Sequence, residues 1–110
     1  MIFDSNGSTT VVFQEKTTLS TFLQNLNDAY PKLKNEHIVV NLFSFSNLTS
    51  DDVLEFLQLS DNHKKNNKSF VLVTDKVSYD DVPDTICVVP TLQEAHDIIE
   101  MEEIERDLEL

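Results

Sequence analysis

Apolar and polar positions change period several times along the chain, and each change predicts an element. "MIFDSNGSTTVVFQ" reads as two short strands around Ser5–Gly7, with Asn6-Gly7 as a strong turn signal. "TTLSTFLQNLNDAYPKL" then places Leu19, Phe22, Leu23, Leu26 and Tyr30 at helical spacing, with Thr17 or Thr18 as cap and Pro31 as a stop. "HIVVNLFSF" is almost continuously apolar from Ile38 to Leu42, the pattern of a buried strand. "TSDDVLEFLQLSDNHKK" predicts one helix with Val53, Leu54, Leu57 and His63 on one face and Phe56 and Ser60 beside it. "SFVLVT" and "ICVVP" are two further buried strands, the second ended by Pro90. "TLQEAHDIIEMEEIERDL" is a long closing helix, about 91–108, with Leu92, Ala95, Ile98, Ile99, Ile104 and Leu108 as candidates for its apolar side.

The predicted order is β-β-α-β-α-β-β-α. Strands alternating with helices require crossovers, hence a mostly parallel or mixed sheet of about four to five strands covered by helices. The 110 residues fit one α/β domain with a modest core. At 40% hydrophobic and 25% charged, the composition is that of an ordinary globular chain. A single Gly argues against an all-β design, which spends Gly on turns and bulges.

Charge narrows the partners. The net charge is −12, which disfavours nucleic acid and anionic membrane surfaces. Over half of it lies from Thr91 onward, where eight acids face only Arg106. No basic n-region with a long apolar run follows Met1, and no stretch has the length of a membrane helix. Cys87 is the only cysteine, so no internal disulfide can form, and a cytoplasmic location is expected. Within "ICVV" it reads as a small buried hydrophobe.

Catalytic chemistry finds little footing. His37, His63 and His96 are far apart and show no metal-ligand spacing; His63 reads as structural, near a helix end. Asp80 and Asp81 in "SYDDVPD" lack the further oxygen ligands and the Gly of a calcium loop. No G-x-S-x-G elbow, P-loop or G-x-G-x-x-G is present. The expectation is a protein that is not an enzyme and that carries no metal or cofactor.

Two stretches carry local signals of another kind. In "SNLTSDDVLEF", Thr49 or Ser50 can cap a helix, Asp51 and Asp52 complement its dipole, and Thr49 with Asp52 has capping-box spacing. In "EMEEIERDLEL", Met101, Ile104 and Leu108 fall at i, i+3 and i+7 on an otherwise acidic helix. That stripe either packs on the protein's own sheet or docks on a basic partner or a second copy.

The middle of the chain resembles STAS domains, the fold of bacterial anti-sigma factor antagonists. The resemblance spans roughly residues 37–99. Asn41-Leu42 match the family's strand end, and Leu48 matches the apolar residue before its turn. Thr49, Ser50, Asp51 and Asp52 fall on the Asp-Ser-Ser-Gly-like positions, so Thr49 stands for the family's acid and Asp52 for its Gly. "HKKNNK" and "SFVLV" follow at the family's spacing, and "VVPTLQEAHDII" is similar to its last strand and T-x-x-E-A helix start at Thr91, Glu94 and Ala95.

The resemblance implies a non-enzymatic regulator that binds an anti-sigma factor or another kinase-like protein. Ser50 is then the candidate phosphoacceptor, with Thr49 as runner-up, and Thr49, Ser50, Asp51, Asp52 and Val53 form the partner face. An alternative is an adaptor without the switch that docks through its acidic C-terminal helix, as a homodimer or on another protein. The whole chain also resembles short bacterial proteins sometimes labelled ribonuclease Z. That activity needs a His/Asp cluster holding two metals, which this sequence lacks, so a hydrolase or nuclease is the least supported reading.

Overall fold

The computed structural model describes residues 1–109; Leu110, the last residue of the expected single domain, lies outside them. β1 (Ile2–Asn6) and β2 (Thr9–Phe13) form an antiparallel hairpin with Asn6 opposite Thr9. The two loop residues are therefore Gly7 and Ser8, one step later than the Asn6-Gly7 turn expected. Of these two only Gly7 takes a left-handed φ, +65°, the pattern of a type II′ turn with Gly first.

α1 (Leu19–Leu33) starts at Thr18, whose Oγ1 accepts from Thr21 N at 3.2 Å. It does not stop at Pro31, which lies inside the helix. Pro removes a backbone donor at a cost of about 3 kcal/mol. Burying Leu33 two residues later recovers a similar amount, about 1.5–3 kcal/mol, and holds the last turn.

β3 (His37–Asn41), β4 (Phe70–Val73) and β5 (Cys87–Val89) complete a five-stranded mixed sheet of order β1-β2-β3-β4-β5. Only the β1–β2 pair is antiparallel; β2 to β5 run parallel. Because the parallel strands follow one another in a single direction, crossovers of the usual right-handed sense all fall on one face. One cluster accordingly joins Val12, Ile38, Val40, Phe70, Leu72 and Val88 of the sheet to Phe22 and Leu26 of α1. It also takes Val77, Val82 and Ile86 from the β4–β5 connection, which carries no α-helix, only a 3₁₀ turn at Tyr79–Asp81. The opposite face, Val39, Val71 and Val73, is left to the C-terminal helix α4 (Leu92–Leu108), which meets it with Ala95 and Ile99.

The helix expected after β3 is bent into two: α2 (Ser50–Leu54) and α3 (Leu57–Lys65). At the junction Glu55 N donates to Asp52 O and Phe56 N to Val53 O, which are i→i−3 bonds of a 3₁₀ turn. Three residues per turn bring Phe56 onto the side of Val53, and both are fully buried. The buried face is thus Val53, Phe56, Leu59, Ser60 and His63, whereas Leu54 is exposed and Leu57 only half-buried. This corrects the expected Val53–Leu54–Leu57 face, and the tightened turn is the reason. α3 ends with Asn67 at φ +62°, a left-handed stop for which Asn is suited.

Candidate functional site

The turn from β3 into α2 is built by local hydrogen bonds. Asn41 Oδ1 accepts from Phe43 N at 3.0 Å, and Ser44 Oγ donates to Gln14 O at 2.7 Å. Leu48 is buried, and Phe45 packs on Phe22 with ring centroids 5.6 Å apart. Thr49 then forms a complete capping box: Asp52 N donates to Thr49 Oγ1 at 3.2 Å and Thr49 N donates to Asp52 Oδ2 at 3.0 Å. Asp therefore serves where Glu is usual, as the spacing suggested.

The box divides the hydroxyl pair. Thr49 Oγ1 is committed to the cap, while Ser50 Oγ, half-buried, finds no hydrogen-bond partner among the described residues. Val53 is wholly in the core, so of the five candidate face residues it can act only as an anchor. Thr49, Ser50, Asp51 and Asp52 remain at least partly open. A shallow cleft of about 270 Å³ beside Asp52 is lined by Leu19, Ser44, Phe45, Ser46, Asn47 and Leu48.

The second candidate surface is the distal half of α4. Met101 is 56% exposed, Ile104 55% and Leu108 80%. The stripe does not pack on the protein's own sheet, because the sheet-facing positions are Ala95 and Ile99, continued below by Glu102 and Arg106. Leu92, one of the expected core positions, is also exposed, and Ile98 is partly buried.

Sequence patterns did not suggest what holds that half of α4 down. Ser69 Oγ donates to Glu102 Oε1 at 2.5 Å and accepts from Arg106 Nη2 at 3.1 Å, and Arg106 lies 3.7 Å from Glu102. His37, at the start of β3, accepts Ser69 N–H at Nδ1 (3.0 Å), and its Nε2 faces Glu103 Oε1 at 3.2 Å. Nδ1 is thus an acceptor and Nε2 carries the proton. Burial pushes the His37 pKa down, against a smaller upward pull from Glu103.

His63 belongs to the same end of the sheet. It is fully buried, with Nε2 donating to Glu36 O at 2.7 Å and Nδ1 2.7 Å from the Tyr30 hydroxyl. A carbonyl can only accept, so Nδ1 is the acceptor and Tyr30 the donor. Asn66 Nδ2 donates in turn to the Tyr30 oxygen at 3.3 Å. Burial holds His63 below the ordinary histidine range and raises Tyr30 above the usual phenol range. The expectation of a structural His63 near a helix end is met in place, but as a neutral imidazole in the core and not as a cation serving a dipole. Thr10 and Glu36 extend the network, with Thr10 Oγ1 donating to Glu36 Oε2 at 3.0 Å. No sequence spacing links these residues; the topology alone brings the starts of β3 and β4 beside the ends of α1 and α3.

Elsewhere the chemistry is sparse. Asp80 and Asp81 lie exposed in the 3₁₀ turn capped by Ser78, and His96 is exposed. Cys87 is half-buried, with its thiol pKa raised by burial. Among the described residues no group of three or more His, Cys, Asp or Glu is placed to hold a metal ion, and no helix is long and apolar enough to cross a membrane. Neither protein-family models nor curated proteins give a match to the chain.

Proposed function

We propose that the chain is a STAS-like, non-enzymatic regulatory domain of the cytoplasm that works by binding a protein partner, an anti-sigma factor or another kinase-like protein. Thr49, Ser50, Asp51 and Asp52 form the docking face, with Val53 anchoring it. The observation that carries the reading is the free Ser50 hydroxyl beside a Thr49 already spent on the cap. A phosphate on Ser50 adds a charge of about −1.5 to −2 next to Asp51 and Asp52 without cutting the capping box, and so changes the face while sparing the fold. A phosphate on Thr49 would remove the acceptor of Asp52 N, which makes Thr49 the lesser candidate. The five-stranded mixed sheet and the Thr91 cap of α4, whose Oγ1 accepts from Glu94 N at 3.1 Å, are in keeping with that fold. The test compares partner binding by wild type, Ser50→Ala and Ser50→Asp, with phosphosite mapping of chain recovered from cells. Equal affinities in all three remove the switch. Activity lost on metal chelation would instead favour a hydrolase.

A second reading is favoured by the exposure of Met101, Ile104 and Leu108: a constitutive adaptor that docks through α4. Deleting 102–110 should then abolish partner capture with the core still folded, and retained capture counts against it.

A further inference from the structure

We infer that the distal half of α4 pairs with a basic amphipathic helix of another protein, and not with a second copy of this chain. The inference rests on the adaptor reading and names the partner's chemistry. Met101, Ile104 and Leu108 are spaced by three and four residues, the a-d-a order of a heptad seam. They are the most exposed large hydrophobic side chains of the helix. In that frame the flanking positions that choose a partner are Glu100 and Asp107 at g and Glu105 at e, all acidic and all exposed. The inward acids are already engaged: Glu102 with Ser69 and Arg106, and Glu103 with His37. Those contacts fix the rotation of α4, so the stripe and its outer acids face away from the sheet. The helix also carries Arg106 on its sheet side, where it is spent on Ser69 and cannot relieve the outer charge.

A second copy would bring acidic flanks against acidic flanks, on chains that each carry −12. Lys or Arg at the facing e and g positions reverses the sign of each of these contacts. The seam from Met101 to Leu108 is only about 10 Å long at 1.5 Å per residue, so the pairing is weak and reversible.

The experiment uses the full chain and two synthetic helical peptides with the same Leu/Ile seam, one with Lys and one with Glu at every e and g position. Binding is followed by fluorescence anisotropy at low and high salt. The Lys peptide should bind wild type and weaken by about tenfold or more on Ile104→Ser, while the Glu peptide should not bind. In Glu100→Lys/Glu105→Lys/Asp107→Lys the preference should invert. Circular dichroism of each variant establishes that the fold is kept. Binding of the Lys peptide that is indifferent to Ile104→Ser is bulk charge attraction and overturns the inference. A dimer of the chain in sedimentation that Ile104→Ser dissolves also overturns it, in favour of a second copy. If the Lys peptide fails but Met101→Ser/Ile104→Ser/Leu108→Ser abolishes capture of the cellular partner, the adaptor reading stands and only the basic-helix assignment falls. If capture survives as well, both fall.

Discussion

Removing one oxygen tests the account of the buried histidine. In Tyr30→Phe the ring still fills its place against His63, 5.4 Å away centre to centre, but the hydroxyl that donates to Nδ1 is gone. His63 is 0% exposed, so water does not replace the donor without opening the core. A buried acceptor left unpaired costs about 1–3 kcal/mol. For a domain of this length each kcal/mol lowers Tm by about 4 °C, so Tm should fall by roughly 4–12 °C. Urea unfolding followed by circular dichroism measures the same loss as a shift in midpoint at constant slope. pH supplies the second arm. Both His63 and His37 are held below the ordinary histidine range in the folded state, mainly by burial. The unfolded chain therefore takes up protons first as pH falls below about 6.5, and it binds more protons than the native state there. Stability from these two groups is fully present above that pH and is lost on the way down through their folded values. Acidification also relieves the repulsion of a −12 chain, so the quantity to read is the difference between wild type and His63→Leu, which should lose less stability than wild type as pH falls. A Tyr30→Phe variant within a few tenths of a kcal/mol of wild type, or equal pH slopes in both proteins, would refute the buried neutral imidazole.

Thr49→Ala should lose about 1 kcal/mol through the capping box, while Ser50→Ala should stay within about 0.5 kcal/mol, since only the first hydroxyl is spent on structure; thermal melts decide it. Phe56→Ala should cost about 3–5 kcal/mol, because the side chain is fully buried in the main core and packs on Phe22 at 6.3 Å; the denaturant midpoint reads this directly. Gly7→Ala should destabilise by about 1–2 kcal/mol, although nothing crowds the new Cβ, because φ at Gly7 is +65°; Gly7→Asn should recover part of the loss.

The alternation of strands and helices was readable because apolar runs such as Ile38–Val40 and Phe70–Val73 admit only burial on both faces, and such strands need crossovers. The hairpin, the caps at Thr18 and Thr49, and the spacing of Thr49 and Asp52 are local chemistry, and local chemistry is written in neighbouring residues. Boundaries set by distant partners were not readable. Pro31 argued for a stop that the burial of Leu33 overrides, and the single helix after β3 became two because Val53 and Phe56 share one pocket of the core.

The candidate surfaces divide the same way. Composition and spacing place Met101, Ile104 and Leu108 on one stripe of an acidic helix, yet they cannot say whether that stripe faces in or out. Tertiary structure decides it. A sheet whose crossovers occupy one face leaves a single helix for the other, and that helix turns Ala95, Ile99, Glu102 and Arg106 inward. The pairing of His37 with Ser69 and Glu103, and of His63 with Tyr30 and Glu36, likewise exists only in the folded chain. Residues this far apart in sequence share no local signal: the parallel register of β3 and β4 brings Ser69 to His37, and the packing of α1, α3 and α4 on the sheet brings in Tyr30, His63 and Glu103.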